Sequence, residues 1–518
     1  MGSKISDKKE REVVSNKGIF TSLFSMYMIS SSVLIYTTMN NDIIDFLNLN
    51  DNTIVIKDFF IAGDTKVIVL EKILEPIYCP LCSFKMHSKG IHVRKIKHPI
   101  LQDGYKVLLH VRQRRWKCTN TECNHEYNDF FSFVGKYKQV TNLIPYAICF
   151  AMKDLSLSAR CIAERFNVSD TTVHNYFMQY VDIPRLPLSE VISIDEVYLN
   201  IDNKHKYALV IMDFETKNII DILPSRLQEE VNKYFLSIPL EERNKVKYII
   251  SDMYNPYLQY PYSYFHNSQS VIDSFHVLSW LTNKLNLYIN QVKKRYQERD
   301  REELARKNYR TNRDWQTTID SKEVFILKNY KWVLLKNQED INYSTQRHYV
   351  SKLSSYLDTY QIEEKFFNLD KHFKPLRELK ELYVTFNSRN LGNEENAAIE
   401  LKELINAYAS SNEPIFIEFA KLLEKFYDPI VRSFKIIKSY DDRGNEIIRR
   451  ISNGPMESFN RKPKDLKRNS RGFSNFEYTR LRILWSVREN EPILACPKPL
   501  HEVKHPTGYK RGSYKKNK

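Results

Sequence analysis

Glycine is scarce in this chain of 518 residues, with 12 Gly beside 19 Pro, well under average usage. The glycines are scattered, and no GxGxxG or GxxxxGK[ST] stretch occurs. Dinucleotide-binding and Walker-type sites need such turns so that backbone amides can approach phosphate. Both are therefore excluded, and no nucleotide cofactor is expected. Cysteine is sparse too, and its number, 7, is odd, which argues against a secreted disulfide framework and for a reducing cytoplasm. Long apolar runs are few. The uncharged stretch from residue 18 to 40 approaches the length of a membrane span, but its many Ser and Thr make it a poor one. No membrane association is expected, and residues 1–38 are read as lying outside the folded protein.

What is present is positive charge. Lys and Arg number 79 against 63 Asp and Glu, a formal net charge of +16. Such a surplus favours a polyanionic partner through release of phosphate counterions. At 42% hydrophobic and 27% charged the composition is globular, and the length suits several domains.

Two cysteine pairs stand out, Cys79-Pro-Leu-Cys82 and Cys118 with Cys123. Each pair can grip one side of a tetrahedral ion, so the four predict a structural zinc site. Between them Tyr105, Val107, Leu109 and Val111 alternate as in a strand leading to the second pair. From Cys79 to Cys123 there are ten Lys and Arg and only two acids. A basic zinc module is more often a nucleic-acid grip than an enzyme core, and Arg112, Arg114 and Arg115 are its candidate DNA contacts.

Residues 156–180 carry a helix-turn-helix pattern. Ile162, Ala163, Phe166, Val168, Val173 and Tyr176 take inward positions, and Asn167 falls where the turn requires a left-handed residue. Ser169 is placed to cap the second helix. Asp170, Thr171, Thr172, His174 and Asn175 then face outward, and the last four are candidate major-groove contacts.

Apolar strands follow. Residues 191–194 lead into Asp195, residues 247–250 into Ser251-Asp252, and residues 270–272 into Asp273, while 207–212 and 219–223 suit a hairpin. Three carboxylates thus terminate three apolar strands. Residues 286–450 read as mainly helical and charged. Near the C-terminus, Gly454-Pro455 opens a helix with Glu457 in its first turns, and eight Lys and Arg lie between Phe459 and Arg482. Of these, Lys464, Lys467, Arg468 and Arg471 are candidate DNA contacts. Mg²⁺ takes oxygen ligands, and paired divalent ions are the usual clamp for cutting phosphodiesters, so Asp195, Asp252 and Glu457 are candidate ligands for Mg²⁺ or Mn²⁺. Residues beyond 496 form a basic tail.

The blocks CPLC, RRWKCTNTEC, ISIDEVYLN, IISDMYNPY, DSFHVLSWLTNKLN, KWVLLKN and SNGPMESFNRKPKDLKRNSRGF resemble, in order, those of DDE transposases of the ISL-three insertion-sequence type. The resemblance implies a multidomain α/β protein. A β-rich zinc module (39–135) and a helix-turn-helix (136–185) precede a ribonuclease-H-like mixed-sheet core (186–285 and 451–495), which a long helical insertion (286–450) interrupts. It implies Asp195, Asp252 and Glu457 as catalytic residues, with Asp273 and His276 as neighbours. The implied partners are DNA, as terminal inverted repeats and target, and a second copy of the chain in a homodimer or larger assembly; the implied setting is the bacterial cytoplasm. Two departures are Ser458, where the family has Gly, and Pro463, which predicts a disrupted helix beyond Asn460. A DNA-binding regulator or inactive remnant, keeping the zinc and helix-turn-helix modules, is the alternative.

Overall fold

The computed structural model describes residues 43–99, 105–201, 206–311, 320–441, 443–470 and 475–503. The N-terminal uncharged stretch and Arg471 lie outside them. No described helix is long and apolar enough to cross a membrane. The chain divides into two compact units, Met1–Asp182 with Pro492–Lys518, and Ile183–Glu491.

The first unit is built on strands β1 (Ile54–Ala62), β2 (Thr65–Lys72), β3 (Met86–His98), β4 (Lys106–Cys118) and β5 (Glu126–Asn128), in the order β1-β2-β4-β3 with β5 also on β4. The predicted alternation holds along β4 for Val107, Leu109 and Val111, which are buried, whereas Tyr105 precedes the strand and is exposed. They join Leu70 and Ile96 in a core that excludes water from one face of the sheet. Three helices follow, α1 (Leu143–Ala151), α2 (Ala159–Arg165) and α3 (Asp170–Tyr180). Asn167 has φ +51° in the turn between α2 and α3, the left-handed conformation that Asn tolerates better than most residues. The Ser169 hydroxyl accepts from the Thr172 amide 3.2 Å away, supplying a partner to one of the orphan donors at the start of α3. The described C-terminal segment belongs to this unit. The Leu494 amide donates to the Tyr180 carbonyl and that of Lys498 to Gln179, both at 2.9 Å.

The second unit contains a five-stranded mixed sheet, β6 (Val191–Tyr198), β7 (Tyr207–Asp213), β8 (Ile219–Leu223), β9 (Tyr248–Ser251) and β10 (Gln269–Ile272), ordered β10-β9-β6-β7-β8. The predicted hairpin is β7–β8. Strands β6, β7 and β8 run antiparallel in sequence, while β9 is parallel to β6 and β10 to β9. Side chains alternate between faces along each strand. Ile192, Ile194, Ile249, Leu209 and Ile211 pack on one face with Val231 and Phe235 of α4 (Gln228–Ser237). Val191, Ile250 and Val271 take the other face, with Phe214 and Ile451.

A 38-residue helix, α5 (Ser274–Thr311), starts immediately after Asp273. Its Val277, Leu281, Leu285, Ile289 and Val292 form a helical stripe. With Phe373 and Tyr383 of α6 (Phe373–Arg389), Leu401 of α7 (Glu394–Ala409) and Phe416 and Phe419 of α8 (Pro414–Lys425), the stripe builds a separate core. The insertion returns to the sheet through the hairpin β11 (Ile436–Tyr440) and β12 (Glu446–Arg450). There the Ser439 hydroxyl donates to the Glu215 carbonyl at 2.9 Å and the Arg449 guanidinium to that of Phe214 at 3.0 Å.

The unit ends in α9 (Gly454–Asn469) and α10 (Phe476–Val487). The disruption predicted from Pro463 does not occur, for α9 runs unbroken past it to Asn469. Pro463 forgoes a backbone donor, but it lies on the buried stripe with Met456, Phe459 and Leu466. Packing of that face sustains the helix where propensity alone opposes it.

Candidate active site

The sheet register brings the strand-borne carboxylates together. Pairing of β6 with β9 runs Val191–Tyr248, Ile192–Ile249, Ser193–Ile250; continued by two positions, it sets Asp195 beside Asp252. Pairing of β10 with β9 ends at Ile272–Ser251, so the next position sets Asp273 beside Asp252. All three share the side-chain parity of Val191, Ile250 and Val271, and so belong to the face away from α4. Asp195 is not at the end of its own strand, because β6 continues to Tyr198 along β7. It is terminal only toward β9, which stops at Ser251.

Each aspartate is held differently. The Asp195 Oδ1 accepts from the Glu196 amide at 2.7 Å, and its Oδ2 from the Asn460 side-chain amide at 2.8 Å. Burial pushes its pKa up to about 6; the Glu196 amide and His276 oppose this and the Asp252 charge adds to it. Asp252 accepts from the Tyr254 amide at 2.9 Å, and burial raises its pKa as well, against that amide and His276. Asp273 is 1% exposed. Its Oδ1 accepts from the Phe275 amide at 3.3 Å, while its buried Oδ2 has no hydrogen-bond partner.

Glu457 comes from the first turns of α9, and Asn460, one turn later, reaches the sheet. The Glu457 carboxylate sits 3.9 Å from His276 Nε2. Burial raises its pKa, His276 lowers it, and the Asp273 charge raises it again. Asp273, His276 and Glu457 each offer an atom within 4.8 Å of the other two. Asp195, Asp252 and Glu457 do not form such a cluster among the described residues. The expected trio is thus joined through intermediaries: His276 acts electrostatically on all three, and Asn460 fastens the glutamate's helix to Asp195. Glu196, next to Asp195, is already engaged, with Arg226 at 2.7–2.8 Å and the Tyr257 hydroxyl at 2.5 Å.

Residues 192–483 match the protein family described as transposase, the ISL-three type of DDE enzyme. The chain belongs to this family. The transposase for insertion sequence element IS1001 of Bordetella parapertussis is 23% identical over 295 residues, which cover 54% of this chain and 64% of that relative. The chain therefore matches just under two thirds of the relative's length. The family match begins in β6 and ends in α10, so it contains every carboxylate just described and His276.

In this transposase-family chain the cysteines lie outside the match, in the first unit. Cys79 Sγ is 3.7 Å from Cys123 Sγ and Cys82 Sγ 3.4 Å from Cys118 Sγ, and all four lie within 4.8 Å of one another. Disulfides require about 2.05 Å, and the thiols are free. Sulfurs on a tetrahedral zinc with bonds of about 2.3 Å stand about 3.8 Å apart, so the cluster fits that ion. Burial raises the Cys79 thiol, but the Leu81 and Cys82 amides and the neighbouring thiols bring it down to about 7; burial pushes Cys118 up to about 12.

The basic candidates differ in their freedom. Arg112 and Arg114 both bind the buried Glu71 carboxylate, at 3.0 and 2.5 Å, leaving Arg115 the more exposed of the three. This partner is 41 to 43 residues away in sequence, so no local pattern announced it. On α3, Thr171 is exposed while Thr172, His174 and Asn175 are half-buried. On α9, Lys464 is exposed, Arg468 pairs with Asp465 at 3.3 Å, and the Lys467 ammonium lies 4.2 Å over the Tyr198 ring. Asn460 was missed by sequence reasoning. Its signal was its position, three residues after Glu457 and hence on the same helix face.

Proposed function

We propose that the protein is a transposase that cuts and rejoins DNA at the ends of an insertion sequence, with Asp195, Asp252 and Glu457 as its catalytic carboxylates. The observation carrying this reading is the row of aspartates at adjacent strand positions, with the glutamate's helix fastened to the first of them. The strand order, with three antiparallel strands followed by two parallel ones, supports the ribonuclease-H-like assignment of the core.

The donor set suits a hard divalent cation. It consists of carboxylate oxygens, and the buried Asp273 Oδ2 lacks any other partner. Asp195 and Asp252 would hold one such ion and Glu457 would complete the centre. A bound Mg²⁺ or Mn²⁺ supplies charge neutralisation of phosphate and activation of an attacking hydroxyl. The chain's own contribution is positioning. Backbone amides of Glu196 and Tyr254 and the Asn460 side chain orient the two aspartates, and burial keeps bulk water from competing for them. Cleavage and strand transfer are each in-line displacements at phosphorus. Water is the nucleophile in the first and the freed 3′-hydroxyl in the second.

The cysteine module, which would carry structural zinc, and the α2–α3 pair, read as a helix-turn-helix, would bind the terminal inverted repeats. Thr171, Thr172, His174, Asn175 and Arg115 are the nearest candidates for contact, and Lys464, Lys467 and Arg468 are candidates beside the glutamate. Synapsis of two ends would require at least a homodimer. The test is incubation of purified protein with Mg²⁺ and labelled DNA carrying the element's own flanking ends, scored for strand cleavage and for joining of pre-cut ends. Asp252→Ala should abolish both reactions and spare DNA binding. Wild-type protein that binds ends but neither cuts nor joins them would favour the regulator.

A further inference from the structure

We infer that Asp273 and His276 are themselves metal ligands, forming with Glu457 a mixed nitrogen–oxygen position for a divalent first-row cation next to the Asp195–Asp252 pair. This rests on the carboxylate reading above and extends it by two residues.

Three observations carry it. The first is spacing. One oxygen of Asp273, one nitrogen of His276 and one oxygen of Glu457 lie mutually within 4.8 Å, so a modest inward movement brings them to the roughly 3.0–3.4 Å at which donors share one ion at about 2.1 Å. The second is the unmet demand of buried atoms. Asp273 is 1% exposed and its Oδ2 has no hydrogen-bond partner; the buried His276 Nε2 has none either, its charged neighbour being the Glu457 carboxylate at 3.9 Å. Buried polar atoms are nearly always satisfied, and a carboxylate left so is costly. A single cation satisfies both atoms. The third is rigidity. The Asp273 carbonyl accepts from the His276 amide at 3.1 Å and its Oδ1 from the Phe275 amide. The Asp-x-x-His pair is thus fixed on the opening turn of α5, aimed at the start of α9.

The donor set also selects among cations. Imidazole is a borderline donor that suits later first-row metals, whereas Mg²⁺ and Ca²⁺ prefer oxygen alone. Mn²⁺ should therefore occupy this position more readily than Mg²⁺. Glu457 then belongs to the Asp273–His276 ion first, and its link to Asp195 and Asp252 runs through that ion's neighbour. This accounts for a glutamate that clusters with Asp273 and His276 and not with the other two aspartates.

Pulsed electron paramagnetic resonance of Mn²⁺ bound to the full-length protein tests the assignment without relying on turnover. Wild type should show modulation from a directly bound nitrogen. H276Q should lose that modulation while still binding Mn²⁺ through oxygen ligands, and D273N should weaken Mn²⁺ binding about tenfold or more, each variant being checked for native circular dichroism. Should D273N fail to fold, the H276Q spectrum decides alone. Mn²⁺ bound without nitrogen modulation in wild type, with affinity unchanged in both variants, would overturn the inference and leave the three catalytic carboxylates standing. Absence of any Mn²⁺ binding at millimolar concentration would overturn both.

Discussion

Among the described residues two clusters of potential metal ligands occur, and they are built on opposite plans. In the first unit four sulfurs sit 3.4–3.7 Å apart in their closest pairs, delivered by tight local turns and offering no open position. In the second unit two carboxylates and an imidazole, Asp273, His276 and Glu457, come from the end of β10, the first turn of α5 and the start of α9, beside Asp195 of β6 and Asp252 just past β9. Closed and saturated is the geometry of an ion that holds a fold; open and under-satisfied is that of an ion that meets a substrate. The cysteines are also within 45 residues of one another, whereas Glu457 reaches its site only after the whole helical block. A structural ion can be local, but a centre that must admit a DNA backbone is assembled from separate elements.

The comparison breaks most visibly at zinc. Cys118→Ser should remove the ion and unfold the cysteine module, a loss on the order of 10 kcal/mol of metal-coupled folding. Zinc content by elemental analysis and binding of end DNA should both vanish together. Retention of tight DNA binding without zinc would show that the closed cluster is dispensable. Next in size, Asp195→Asn or Asp252→Asn should reduce strand cleavage about a thousandfold, roughly 4 kcal/mol of barrier, in a quantitative assay with the zinc content unchanged. A fall of less than tenfold would remove these aspartates from the chemistry.

A smaller effect has a definite sign. The Asp195 pKa is raised from 3.8 to about 6 mainly by burial, so the metal-free fold binds this proton more tightly than the unfolded chain does. The associated stability is full below pH 3.8 and is lost as pH rises through about 6. Metal-free Asp195→Asn, which has no charge to bury, should therefore exceed wild type at pH 8 by about 3 kcal/mol. The advantage should shrink below pH 6 in urea titrations and reverse when Mg²⁺ is added. An advantage independent of pH would mean that ionisation of Asp195 is not its source. Smallest is Ser169→Ala, which removes the cap of α3 and should cost about 1 kcal/mol in thermal unfolding, with no change at the carboxylates.

Local features were legible in advance, and contacts between distant segments were not. The cysteine spacing, the left-handed Asn167, the Ser169 cap and the β7–β8 hairpin all depend on residues a few positions apart, where sequence pattern and geometry coincide. The aspartates were legible as strand-end carboxylates, but their alignment required the register of three parallel strands. Asp195 was also misplaced, since only one of its two neighbouring strands ends there. The Glu71 partner of Arg112 and Arg114 was invisible for the same reason, being supplied by a neighbouring strand. Pro463 misled in the opposite direction: local propensity forecast a break that the buried face of α9 overrides.

The fastening of the β11–β12 hairpin to the carbonyls of Phe214 and Glu215 has an evolutionary corollary. Because the excursion departs from one edge of the sheet and is pinned again before α9 begins, its interior can lengthen, shorten or be exchanged without shifting the glutamate. Spacing along the chain between acidic residues is then a poor ruler for kinship among such proteins, and the anchoring points at either end of the helical cassette are the better landmarks.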